Sequence, residues 1–447
     1  MTANRHWFEF ALRAGLLILF GSHLQSCASY GTQATTMREG LLTGHPELSL
    51  AIAEEKDSQQ ENVLASLDKG MLRRINDDYY ASNEIFEVAK QEIEELYGIS
   101  ITENLASVTI NETFRGYEGD RYEQLLLHAY MAMNYLQLGQ PDGARVEMLQ
   151  ANVKMQEWGD EPEDDAFIRY LEGIIYESLN ELDNALISYR KAYIAYKEKG
   201  GSIFPQMPQS LKKDLLRLLA KSRRTDELTR LKKEFSMSVP AGDEVDSIHG
   251  ELVIILNNGL APIREETSVY LFSPEVQQNL RVAFPVYRDR KQRLNEAVIK
   301  LDDDEYKLEP VEDIDALARY SLEQAMPGIM ARALARAVVK YNTQHTANDS
   351  GSLAGLIMTV TNLVTERADT RSWSTLPQEI QLQRIVLPEG THTLSIELRN
   401  PAGITVDVIT DEVEIKPGKR SFIIRHWSAP TPKKGKQSKQ AVVTSYQ

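Results

Sequence analysis

Cys27 is the only cysteine in the 447 residues, and its surroundings specify a covalent reaction. It closes Leu24-Gln25-Ser26-Cys27, directly after the apolar run Ala14–Gly21 and a start that carries Arg5 and Arg13. This is the layout of a secretory signal peptide with a cleavage site of lipobox type. The chemistry is thioether formation. The thiol takes a diacylglycerol, residues 1–26 are cut off after Ser26, and Cys27 becomes a lipidated N-terminus. Gln25 is bulkier than the small residue usual at its place, and Glu9 sits in an otherwise basic start. The apolar run is far shorter than the roughly 20 residues of a membrane span. Ala28, rather than an aspartate, follows the cysteine, which favours the outer membrane over retention in the inner one. The expected address is the cell envelope, as an outer-membrane lipoprotein facing the periplasm.

No other residues assemble a reaction. His6, His23, His45, His128, His249, His345, His392 and His426 are scattered, none at zinc-ligand spacing from another ligand. There is no G-x-S-x-G elbow, phosphate loop or G-x-G-x-x-G. The acidic runs Asp302–Glu305 and 160–165 offer oxygen ligands but lack EF-hand spacing, and read as solvated loops. The expectation is a protein without enzymatic activity, metal or cofactor.

Composition agrees with a role in binding. Hydrophobic content of 42% and charged content of 26% are ordinary for a globular chain. With one cysteine no internal disulfide forms, so an exported protein must be held by its cores. The net charge is −15, and loss of residues 1–26 with Arg5, Arg13 and Glu9 leaves −16. Beyond Trp427 the chain holds Lys433, Lys434, Lys436 and Lys439 and no acid, which makes a tail of +4 on a body of −20. An acidic body argues against nucleic acid as a partner, since phosphate contacts need a basic face.

The elements that would present a binding surface divide into two vocabularies. Residues 27–60 read as a tether. From Glu61 to Tyr97 apolar residues recur at helical spacing, with Gly98 as a stop. Two helical pairs follow, Tyr122–Gly139 with Ala144–Ala151, and Phe167–Asn180 with Ala185–Ala192. Aligning Ala144 with Ala185 places Tyr135 on Tyr176, Met148 on Tyr189, Ala151 on Ala192 and Ala132 on Gly173. Small residues at such places let paired helices approach, and rings fill the grooves between pairs. Helices over 211–219 and 225–235 complete a helical domain of residues 61–238, and Pro240-Ala-Gly-Asp marks a boundary near 236–248 between two separable units. After residue 248 short alternating strands appear at 252–256, 269–272, 280–284 and 298–301, and again around Leu394–Leu398, Ile404–Val408, Val413–Ile415 and Phe422–Ile424. The fold class is therefore α+β and multidomain. Tetratricopeptide-like helical hairpins precede a β-rich, sandwich-like domain of residues 248–427 with a helical insertion at 311–341, divided by Pro327, and a basic flexible tail of residues 428–447.

Candidate partner-binding residues lie in both halves. Tyr135, Tyr176 and Tyr189 would line the grooves between hairpins. Arg332, Arg336 and Lys340, at i, i+4 and i+8, form one stripe of the inserted helix for an acidic partner or lipid headgroups. In Ala368–Pro377, Asp369 and Arg371 are placed to pair and Arg371 to stack on Trp373; the segment reads as a structural brace at the edge of the β-rich domain, with a recognition surface as the alternative, since these residue types dominate interfaces. The apolar stretch 351–365 is too short to span a bilayer and reads as a core helix.

The lipobox cysteine, the Tyr122–Ala151 block, the Ala-Arg-Ala-Leu-Ala-Arg helix and the Ala-Asp-Thr-Arg-Ser-Trp segment resemble a family of uncharacterised Gram-negative envelope lipoproteins with tetratricopeptide-like helices. The resemblance implies a lipid-anchored scaffold or adaptor that binds an envelope protein or peptide through helical repeats, with the membrane as a second partner through Cys27. It carries no activity. The alternative is an envelope enzyme or carbohydrate-binding module in the β-rich half.

Overall fold

The computed structural model describes residues 34–55, 62–103, 116–158, 164–239, 245, 248–274, 276–288, 294, 296–349 and 367–430, with only the backbone for 97–103, 340 and 342–349. Cys27, the stretch 351–365 and the lysines of the tail lie outside these residues.

The helical half is α1 (residues 34–42), α2 (Pro46–Glu55), α3 (Val63–Ile75), α4 (Tyr79–Glu103), α5 (Arg121–Gln137), α6 (Pro141–Glu157), α7 (Ala166–Ser178), α8 (Leu182–Lys199), α9 (Gln209–Lys221) and α10 (Thr225–Phe235). From α3 onward they pack as successive hairpins, each also touching the next. One turn joins every pair. The first helix ends at a residue with positive φ, Asp77 (65°), Gly139 (76°), Asn180 (60°) or Arg223 (54°). The following amide then reaches back five residues, Asp78 to Arg73 O, Gln140 to Tyr135 O, Glu181 to Tyr176 O and Arg224 to Leu219 O, at 2.8–3.0 Å. This is the Schellman closure of a helix, and the second helix starts at the next residue.

Aligned on that turn, Gly70, Ala132 and Gly173 coincide, as do Phe86, Met148 and Tyr189. A Cβ at Gly70 would lie 2.5 Å from the Phe86 ring, and one at Gly173 would lie 2.2 Å from Tyr189. The absent side chains are therefore what let the helices of each hairpin close. The α3–α4 pair is a further repeat within the stretch from Glu61 to Tyr97 whose spacing is helical. Gly98 does not stop α4, which continues to Glu103.

Residues 34–55 are not a tether. Met37 and Leu41 are buried against Leu72 and Leu260, and Arg38 donates to Ser374 O and Ala261 O. Ser428 Oγ donates to Leu41 O, so the chain is held through residues 428 and 429 as well, past the expected start of the tail.

The second half holds β1 (His249–Asn258), β2 (Arg264–Ser273), β3 (Gln278–Tyr287), β4 (Glu296–Leu301), β5 (Asp304–Lys307), β6 (Glu309–Asp313), α11 (Ile314–Asp349), β7 (Glu379–Pro388), β8 (Gly390–Arg399), β9 (Thr405–Ile415) and β10 (Arg420–Trp427). Sheet A has the order β10-β1-β7-β6, sheet B the order β5-β4-β8-β9, and β2 pairs with β3 in a separate ribbon. Sheets A and B pack face to face through Leu252, Ile254, Leu256, Ile385 and Ile423 against Ile299, Leu394, Ile396 and Val413. This is a sandwich. Three expectations change. Residues 309–313 are a strand of sheet A rather than the start of the insertion. Asp302–Glu305 turns β4 into β5, with Glu305 paired to Lys300. The helical insertion is one helix, with Pro327 inside it. The residues before that proline, 323–325, are exposed, so water satisfies the carbonyl that proline leaves without a donor.

The other face of sheet A carries Val253, Ile255, Ile380, Leu382, Phe422 and Ile424 into the same core as Tyr130, Phe167, Tyr170 and Leu215 of the helices. One continuous core thus crosses the expected boundary at 236–248, and excising residues 248–430 would bare this whole face. Charge crosses the boundary too. Arg384 of β7 bonds Glu177 of α7 (3.0 Å), Asp214 of α9 (2.6 Å) and Glu251 of β1 (2.8 Å). Arg420 of β10 bonds Glu177 and Glu251, both at 2.7 Å. Arg217 of α9 bonds Glu177 (2.5 Å) and Asp214 (2.9 Å). Burial opposes the charge on Glu177, but Arg420, Arg217 and Arg384 hold its carboxyl well below the usual range. Replacing Arg384 by Met strands three carboxylates with two arginines and should cost about 3–5 kcal/mol in urea melts. A loss below about 1 kcal/mol would mean that the network does not hold the two halves together.

Candidate functional site

An opening remains beside the helices whose inner faces meet sheet A. A cleft of about 780 Å³ lies between the start of α5, the end of α6, the end of α8 with the loop after it, and α11. Its rings are Tyr122, Trp158, Phe204 and Tyr320. Arg121 lies over Trp158 at 5.4 Å and Lys199 over Tyr320 at 5.2 Å, so two cations are held flat against the walls. Glu118 and Glu157 add negative charge to the lining. Aromatic faces with charges of both signs suit a peptide segment with mixed side chains.

Two sets of buried carboxyls stand at this cleft. At one side Asp120 caps α5, and Glu123 closes back on the Asp120 amide at 2.9 Å. Glu123 also accepts the Trp373 amide at 2.8 Å and the hydroxyls of Tyr117 and Tyr122. Asp120 pairs with Arg264 of β2 and accepts from Ser321 of α11. Helix, ribbon and insertion are thereby fixed to one turn. Burial pushes the Glu123 carboxyl up to about 7, and the neighbouring Asp120 charge adds to this. Arg264 and the donors from Tyr117 and Trp373 pull the other way.

At the other side Asp165 caps α7, accepting the Ile168 amide at 2.8 Å, and the Glu312 carboxyl of β6 stands beside it. Burial and then the Asp165 charge push the Glu312 carboxyl well above the usual range. Among the described residues no group of three or more His, Cys, Asp or Glu side chains is placed to hold a metal ion. The arrangement can grip side chains and hold protons.

The expected binding residues are placed otherwise. Tyr189 is buried, its hydroxyl bonded to Glu177 at 2.8 Å and to Arg384 at 2.8 Å. Tyr176 is buried, and Tyr135 lies half-buried against Gly143. The inner face of the array, with Tyr130, Phe167 and Tyr170, is covered by sheet A. Trp373 is 1% exposed and packs edge-on against Phe86 and Tyr130. It braces the core and offers no surface for recognition. Asp369 and Arg371 pair at 2.7 Å, and Arg371 lies over Tyr117 rather than Trp373. Arg332 is exposed but Arg336 is 9% exposed, so the two do not share a wet stripe, and the Lys340 side chain lies outside the described residues. Asp164, at the end of the acidic loop, pairs with Arg169.

The sequence matches no family model and no curated protein. Among solved structures the chain is similar to MamA 41-end from Desulfovibrio magneticus RS-1, with 15% identity over 46% of this chain and 92% of that one at a TM-score of 0.30. It is also similar to a putative kinesin light chain of Podosopora anserina with nearly identical TPR-like repeats, with 12% identity over 46% of this chain and 92% of that one at a TM-score of 0.31. These superpositions are loose, and the repeat architecture rests on the shared turn and close approach of the hairpins themselves.

Glu123 ties this region to pH. The folded chain keeps its proton up to about 7, whereas the unfolded carboxyl releases it near its ordinary value of 4.5. Between those values folding takes up a proton, so stability fully present below 4.5 is lost as pH rises to 7. The loss is about 3 kcal/mol. Urea melts across this window should show the decline, and Glu123→Gln should flatten it. An unchanged slope in Glu123→Gln would assign it to other groups.

Proposed function

We propose that the protein is a non-enzymatic scaffold, lipid-anchored to the outer membrane through Cys27 and facing the periplasm, that receives a segment of an envelope protein in the cleft between α5, α6, α8 and α11. The observation that carries this is the cleft itself. Rings and charges of the repeat array remain open there after the chain's own sheet has covered the inner face. Its volume, about 780 Å³, matches a few side chains of a peptide rather than a whole domain. Loss of the inner face to sheet A shifts the expected partner surface from Tyr135, Tyr176 and Tyr189 to Tyr122, Trp158 and Tyr320. Among the described residues no helix is long and apolar enough to cross a membrane, which leaves attachment to the lipid on Cys27 in this reading.

Benzoylphenylalanine placed at Gln324, on the cleft rim, should give a discrete photoadduct with one envelope protein in cells. The same probe at Tyr80, exposed on α4, should not. No adduct at Gln324, or the same adducts at both positions, rejects the cleft as the partner site.

The anchor has its own test. An alkyne-palmitate should label the wild-type chain and not Cys27→Ala. Label persisting in Cys27→Ala rejects lipidation at that thiol.

A further inference from the structure

The β2–β3 ribbon leaves an aromatic face uncovered. In the antiparallel pairing, residues directly opposite share a face. Val269 opposes Val282 and Leu271 opposes Leu280. On this side Val282 and Leu280 are buried, and α11 lies against β3. The opposite side carries Tyr270, facing Arg281, and Phe272, facing Asn279. Tyr270 is 70% exposed and Phe272 59%. Arg281, the charge opposite Tyr270, is paired to Glu266 at 3.0 Å.

The position of this ribbon relative to the chain's start says what covers it. α1 is bonded to the ribbon's root, with Arg38 donating to Ala261 O at 2.9 Å and Leu260 packed on Met37 and Leu41. β2 begins three residues later, at Arg264. From Cys27 to the start of α1 is seven residue steps, at most ~25 Å of chain. From Arg264 to Phe272 is eight steps, ~27 Å of strand. A lipid on Cys27 and the two rings therefore hang from one corner of the body with matching reach. Tyrosine and phenylalanine at the edge of a structure partition into the boundary between headgroups and acyl chains. We propose that Tyr270 and Phe272 rest in the bilayer interface and form, with the lipid on Cys27, a second point of contact that fixes how the body stands on the membrane. The proposal rests on the reading of Cys27 as the lipid anchor. With a body charge of −20, contact is made by rings rather than by attraction to anionic lipids, and it persists in high salt.

The test does not depend on lipidation in cells. The chain from residue 27 keeps all described residues, and its single thiol can be coupled to a maleimide lipid in phosphatidylethanolamine vesicles with a minority of phosphatidylglycerol. Benzoylphenylalanine at Phe272 should then capture phospholipid, on the order of tenfold above the same probe at Ile187 on the outer side of α8. The yield should survive high salt. Capture of residues 350–366, of a second copy, or of no lipid above the Ile187 level would each overturn the proposal. Failure here with labelled Cys27 in cells discards the ribbon contact alone. Success here with no label in cells discards the anchor reading alone.

Discussion

Six buried charges set the terms for the rest of the molecule. Arg217, Arg384 and Arg420 meet Glu177, Asp214 and Glu251 where two helices of the array face three strands of sheet A. Buried ions tolerate neither a missing partner nor a shifted one. The array and the sheet must therefore dock in one register, and apolar contacts alone would allow them to slide. Once docked, sheet A is covered on both faces, by helices on one side and by sheet B on the other. Stacked helical pairs commonly offer an inner surface to other molecules. Here that surface is occupied by the protein's own strands, while the cleft between α5, α6, α8 and α11 stays open.

The parts that were legible in the sequence are those set by local chemistry. Helical pairs and their small-residue contacts follow from Ala132, Ala144, Gly173 and Ala185, because a hairpin closes on residues near in sequence. The α3–α4 repeat follows the same rule through Gly70, Ser82, Phe86 and Ala89, but Arg73 stands where the later pairs have tyrosine, and the aligned block was too short to reveal it. The final hairpin has Leu216 in place of the small residue and ends the series. The alternating strands of sheet B were readable for the same local reason.

What escaped depends on distant neighbours. β7 reads as an apolar run interrupted by Arg384, and only Glu177, Asp214 and Glu251, brought from elsewhere, make that arginine a core residue. Its signal was a charge within Ile380–Leu387, which pattern reading discounts. Glu123 and Glu312 likewise look like ordinary surface acids until Trp373 and Asp165 are seen to close on them. Trp373 is the structural brace that its segment suggests, and the alternative of a recognition surface falls on contacts from a distant helix. A tryptophan flanked by Arg371 and Asp369 resembles a recognition surface, yet Asp68 of α3 binds Ser374 and Thr375 and draws the ring inward.

The parallel pairing of β1 with β10 has a consequence for how the chain is made. Glu251 stands opposite Arg420 and Asn258 opposite Trp427, so one side of β1 finds its strand only when nearly all the polypeptide has been delivered. A chain that emerges from its N-terminus can complete its hairpins in order. It must then keep β1 open along one edge, with the Arg420 site beside Glu177 and Glu251 vacant, until the last strand arrives. Such an edge invites pairing with other chains, and contacts this remote in sequence form slowly. The final assembly step is therefore one that a truncated or stalled chain cannot take, and intactness of the C-terminal end becomes a condition for burying the first half.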